Sequence, residues 1–202
     1  MNRLKLNINS FFTIGLALIL LFVGNQSYAQ QKTSIGVIRN TVLSFLKWHK
    51  SGAEEKPGES YFVPRYDGKD SVKTYFDTDS LEMYYNNFRK SGFVSEHYIN
   101  ELKDYFNFYG KFIGPKREPG EIIKIDGLDQ DIILNTFEPE AVLDHLDKAT
   151  ITKSLVIYNK ALVGVNFSKG VNMIFTLTKS DKKWLIDYIG ADNTSQKSFF
   201  RQ

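Results

Sequence analysis

The chain has no cysteine among its 202 residues, only three histidines and two tryptophans, and five prolines. The lack of a thiol excludes disulfides, a cysteine nucleophile, thiolate ligands and lipid attachment through cysteine, so an exported form must hold together by its core. His49, His97 and His145 show no paired ligand spacing, which leaves zinc without a donor set. A Gly-rich phosphate loop and a Gly-x-Ser-x-Gly elbow are absent as well. Charge of one sign is also scarce. Twenty-six basic residues face 23 acidic ones, and no basic stripe of the kind that marks a nucleic-acid surface appears. The nearest thing, "GPKREPG" (Gly114–Gly120), reads as a solvated turn. Past the first thirty residues, no stretch is apolar enough to span a bilayer.

Those first thirty residues differ from the rest. Arg3 and Lys5 precede the uncharged run Phe11–Val23, and "SYA" follows with small Ser27 and Ala29 one residue apart. This order describes a secretory signal peptide, residues 1–29; a membrane helix needs about 20 apolar residues. Cleavage after Ala29 leaves 202 − 29 = 173 residues, with 26 − 2 = 24 basic against 23 acidic. The expectation is an exported, periplasmic or secreted protein without a stable membrane anchor. Its single α+β domain spans 30–192, and a short tail covers 193–202. A chain of this size buries about 70% of its unfolded surface, enough for one core.

The remainder begins in helical periodicity. Ile35, Ile38, Val42, Phe45 and His49 recur at three-to-four spacing, which predicts a helix over 34–49. "YFVPRYDGKD" offers a short edge strand. A second helix is expected from Asp79, with Glu82 reaching back as a capping box and Gly92 as the stop. Ser95 caps a third, whose stripe runs Tyr98, Leu102, Tyr105, Phe106, Tyr109, Phe112 and Ile113. So many rings on one side read first as core, since aromatics supply the bulk a helix needs to fill the space over a sheet.

The last third changes period. "KSLVIYN", "ALVGVNF", "VNMIFTLT" and "WLIDYI" alternate as strands, joined by short links at Asn159, "SKG" and "KSDKK". Trp184, Ile186 and Tyr188 are expected on one face, and Leu162, Ile174, Leu185 and Ile189 on the other. Four hairpin-linked strands with helices before them predict an α+β fold: N-terminal helices packed on a curved C-terminal antiparallel meander.

The acidic run "DGLDQDIILNTFEPEAVLDH" (126–145) invites a calcium reading. Counted from Asp129, position 5 is Ile133 and position 6 is Leu134, where the loop needs an oxygen ligand and a glycine, so that loop fails. Short Asp side chains also fix turns, and Glu138-Pro139-Glu140 reads as a helix start. A structural corner accounts for most of these acids.

Three stretches carry a resemblance. "FLKWH" places Trp48 at the exit of the first helix, "SGFVSEHYINELKDYF" joins the second helix to the third, and "DKKWLIDYI" closes the meander with Trp184. In this order they resemble the nuclear-transport-factor-2-like cone fold and, within it, a family of small exported bacterial proteins of unknown function. "DQD" (Asp129, Asp131) matches that family's Asp-x-Asp habit; the polar dipeptide that often follows it is replaced here by "NTFEPE". The resemblance implies a cone-like shape; together with the export signal and the lack of a catalytic set, it leads to the expectation of a non-catalytic binding module without a cofactor. Trp48, Asp129, Asp131 and Trp184 are its candidate binding residues, and an unidentified protein or small molecule is its partner. One such role is immunity against a cell-wall-degrading toxin. The alternative is a small-pocket enzyme acting on a hydrophobic substrate. Homodimerisation through the second sheet face is a third expectation.

Overall fold

A computed structural model describes residues 34–55, 65–66, 74–76, 78–111, 130–168 and 170–191. The expected signal peptide, Phe112, Ile113, the Gly114–Gly120 loop, Asp126, Asp129 and the tail 193–202 lie outside these. The chain falls into two units, Met1–Val37 and Ile38–Gln202, and the second holds the core and the sheet.

Helix α1 covers 34–50. Ile38, Val42, Phe45 and Leu46 line its inward side and are at most 1% exposed. Gly52 at φ 62° turns the chain out of α1, a backbone angle open to glycine, and a single 3-10 turn follows at Ala53–Glu55. Among the described residues, only the two-residue β1 (Arg65–Tyr66) lies within the stretch expected as an edge strand, and it pairs antiparallel with β2 (Thr74–Tyr75) beyond it.

Helix α2 (Thr78–Ser91) buries Leu81, Tyr84, Tyr85 and Phe88. It starts one residue before the expected cap, so Asp79 lies in its first turn. Glu82 Oε1 accepts from Lys103 Nζ at 2.8 Å and ties α2 to the next helix. Gly92, at φ 68°, ends α2 as expected. Ser95 then caps α3 (Glu96–Gly110), its hydroxyl accepting from the Tyr98 amide at 3.3 Å. The inward side of α3 is Tyr98, Ile99, Leu102 and Phe106. Phe45, Trp48, Tyr84, Phe88, Tyr98 and Phe106 meet in tilted and edge-to-face pairs with centroids 4.9–6.3 Å apart, the geometry that ring quadrupoles favour. The short helix α4 (Glu140–Leu143) starts after Pro139, where the missing amide hydrogen costs nothing.

Strands β3 (Thr150–Ile157), β4 (Lys160–Ser168), β5 (Val171–Ser180) and β6 (Lys183–Ala191) form an antiparallel sheet in the order β3-β4-β5-β6. This is the expected meander. Gly170 takes the left-handed turn position at φ 86°. Ala161, Val163, Val165, Phe167, Met173, Phe175, Leu177, Trp184 and Ile186 point inward and join the helical side chains in one core.

One face assignment is corrected. Tyr188 turns outward, at 51% exposure, and Ile189 inward, at 7%. The cause is a β-bulge: Thr176 pairs with Tyr188 while Leu177 pairs with Ile186, leaving Asp187 as the extra residue. One inserted residue reverses the facing of everything after it, because side chains alternate with period two.

Candidate functional site

Two features lie outside the ordinary core. The first is a buried ion triad at the foot of α1. His49 emerges one turn after Phe45, on the side that packs inward. Its Nδ1 meets Glu54 Oε1 at 2.5 Å, and its Nε2 meets Asp131 Oδ2 at 2.8 Å. The side chains of His49, Glu54 and Asp131 are 9%, 8% and 12% exposed. Carboxylates accept, so both ring nitrogens donate and the ring is an imidazolium. Burial alone pulls its pKa down; the hydrogen bonds and charges of Asp131 and Glu54 outweigh burial and raise it to about 9. Tyr98, buried beside these carboxylates, has its phenol pKa pushed up, first by burial and then by their negative charge.

The sequence builds the triad locally on each side. The 3-10 turn brings Glu54 back under α1, and Asn87 Nδ2 holds that turn through the Glu54 carbonyl at 2.9 Å. On the other side, Asp131 and Thr136 exchange backbone hydrogen bonds at 2.9 and 3.3 Å, closing a six-residue corner. Asn135 takes φ 50° there, a left-handed angle that asparagine tolerates. Asp131 Oδ1 accepts the Leu134 amide at 2.8 Å, so both of its oxygens are engaged. Lys50 adds a tie to α4 through Asp144 Oδ1 at 2.7 Å.

This arrangement fastens α1, the 3-10 turn and the corner together. With both nitrogens donating, the ring has no lone pair for proton abstraction or metal coordination. Among the described residues, no group of three or more His, Asp or Glu side chains is placed to hold a metal ion.

The second feature is the outer face of the sheet. Register sets three rows across it. One is Leu155, Leu162, Thr176 and Tyr188; one is Lys153, Gly164, Ile174 and Gly190; one is Ile157, Lys160, Thr178 and Leu185. Leu155, Ile157, Leu162 and Tyr188 are 44–54% exposed. Asp187 is the acid of this face, 6% exposed, bonded to Thr178 and facing Lys160 Nζ at 3.3 Å. Burial pushes its carboxyl pKa up, but hydrogen bonds from Ser95 and Thr178, with the charge of Lys160, bring it below the ordinary value.

The sequence-chosen residues are dispersed. Trp48 is partly buried, its ring 5.8 Å from Phe45 and 5.1 Å from Phe88. Trp184 is 4% exposed, in the core beneath the sheet. Asp131 is in the triad, and Asp129 lies outside the described residues. Periodicity placed His49 on the apolar face of its helix; Glu54 and Asp187 carried no motif. For Asp187 a signal existed, an acid in the middle of an otherwise apolar strand.

No family model matches the chain, and no curated protein matches it. Among solved structures, it is similar to the crystal structure of the type VI native effector-immunity complex Tae3-Tai3 from Ralstonia pickettii. The match has 19% identity, covers 52% of this chain and 73% of that one, and has a TM-score of 0.34. At that score, the role of this chain rests on its own residues.

Proposed function

We propose that this chain is an exported, non-catalytic binding module that seats a protein partner on its surface. The observation that carries this reading is the contrast between the two sides of the sheet. Inside, aromatic and aliphatic side chains fill the space, and the buried histidine is consumed by its two carboxylates. Outside, four large apolar side chains stand about half exposed. Monomeric surfaces that collect apolar side chains commonly do so for a partner.

The small-pocket enzyme has less support. Such a site needs a concave pocket of about 300–1,000 Å³ with convergent polar groups. The depression at Arg39, Val42, Leu43, Ala149, Ile151 and Val165 encloses no space for even a water molecule, and its one ionisable group is a guanidinium. A guanidinium is neither nucleophile nor base at ordinary pH.

The finer form of this reading is an immunity or inhibitor protein against a cell-wall-degrading toxin, on a nuclear-transport-factor-2-like scaffold that reaches the periplasm through the leader at 1–29. Trp48, Asp131 and Trp184 then serve binding through the scaffold they hold. The test uses the chain from residue 30 onward and purified, secreted wall hydrolases encoded in the same genome. The expected result is a one-to-one complex by light scattering and loss of wall cleavage. Absence of any complex, or turnover of hydrophobic esters that disappears in His49→Gln, overturns the reading.

A further inference from the structure

We infer that the outer face of β3–β6 is the docking surface, and that it takes an acidic protein surface presenting an apolar knob within a ring of carboxylates. This deepens the proposed binding function and rests on it. The apolar centre is Leu155, Ile157, Leu162 and Tyr188, with Ile174 and Leu185 half-buried between them. Two glycines shape the floor. Gly164 and Gly190 both belong to the row with Ile174, and their missing side chains let neighbours close over them: Thr152 over Gly164, its hydroxyl donating to the Gly164 carbonyl at 3.2 Å, and Tyr188 over Gly190. A Cβ on Gly190 would collide with the ring and hydroxyl of Tyr188. The Tyr188 ring and hydroxyl therefore lie against Gly190, while the residue stays 51% exposed. Four strands of eight to ten residues give a face of roughly 600 Å² at about 4.8 Å between strands and 3.3 Å per residue. That is most of the roughly 800 Å² one partner contributes to a standard interface.

Charge selects the occupant. Residues 148–191 hold seven lysines against two acids, Asp181 and Asp187. Lys153, Lys160 and Lys183 share the outer face by register, and the one acid there is already bound to Thr178 and Lys160. A second copy laid face to face would set lysine against lysine. A surface that brings carboxylates to the rim and an apolar knob to the centre complements both parts, and such complementarity raises association rate and excludes wrong partners. An anionic bilayer shares the charge preference, but insertion favours an unbroken apolar surface, whereas Thr176 and Thr178 bring hydroxyls among the apolar side chains in the same rows.

The experiment places a photo-crosslinking residue at Leu162 or, as a control, at Asn100 on the exposed side of α3, and irradiates the chain in the envelope of its own cells. Adducts are identified, and the captured protein is purified and titrated against the intact chain. An acidic protein crosslinked from 162 and not from 100 is expected, with affinity falling at least tenfold for Leu162→Glu and for Lys153→Glu, and falling with added salt. Both substitutions are on the surface, and unchanged thermal unfolding midpoints separate lost binding from lost folding. Binding that survives both substitutions overturns the surface assignment while leaving the binding module intact. Self-association abolished by Leu162→Glu, or adsorption to phosphatidylglycerol vesicles without a protein adduct, overturns the acidic partner. Failure of the intact chain to bind any envelope protein overturns both proposals together.

Discussion

His49 ties α1 to the 3-10 turn and to the corner at Asp131, and its charge sets a pH window. Its folded pKa, about 9, stands above the ordinary histidine value of 6.5. A group whose pKa rises on folding stabilises fully below its unfolded value, and that contribution is lost as pH rises through the folded value. Stability is therefore expected to decline between about pH 6.5 and 9, by on the order of 3 kcal/mol. Urea unfolding midpoints taken every half pH unit from 6 to 9.5 read this directly. His49→Leu should lower stability by about 3–5 kcal/mol, since it strands two buried carboxylates side by side, and should flatten the profile across the same window. A level wild-type profile would contradict the ionised triad. None of this was legible in sequence: His49 and Asp131 are 82 positions apart, and ion pairs at that separation leave no periodic trace. The spacing that put His49 on the apolar side of α1 was right. It gave no hint that a buried histidine there needs counter-charges.

At the scale of elements, the junction between α3 and β6 shows how local and distant signals combine. Ser95 was legible as a cap, because a hydroxyl before an amphipathic run satisfies a free helix amide. Its second bond, to Asp187, was not. The same segment pairs with β6 through Ile186 N to Phe93 O at 2.8 Å and Ser95 N to Ile186 O at 2.9 Å, next to the bulge that presents Asp187. The strands themselves were legible because one face is buried and alternation follows. The bulge was not, since an extra residue becomes visible only against a partner strand. Ser95→Ala is expected to cost about 1–2 kcal/mol, the upper part of the usual capping range. Ser95→Asp, a good cap in isolation, should be the worse of the two at pH 7, because it sets a second carboxylate against Asp187. The gap between the two variants should narrow in chemical denaturation as pH falls toward 3, because protonation of either carboxyl relieves the repulsion. Ser95→Asp matching wild type at pH 7 would mean that Asp187 is not held by the cap.

For the molecule as a whole, the two edges of the sheet differ. The β6 edge is partly occupied by the Phe93–Ser95 segment. β3 pairs on one side with β4, and no other described strand pairs with it; six of its eight residues are exposed, Ile151 and Val156 being intermediate. Sheet edges with unpaired backbone groups invite another chain, and proteins commonly blunt them with charge or a bulge. Here Lys153 does the first and the register shift between Ile151 and Lys153 the second. Amide exchange should reflect the asymmetry. Opening at an edge costs far less than global unfolding, whereas central strands open only with the core. Amides of β5, hydrogen-bonded on both sides and carrying Met173, Phe175 and Leu177 into the core, are expected to exchange at the global rate. The β3 amides that point away from β4 should exchange at least a hundredfold faster at pH 7. Binding of an acidic partner across the outer face should slow the β3 and β4 amides and leave those of α3 unchanged, because α3 packs on the opposite side. Slowing confined to α3 would move the docking surface off the sheet.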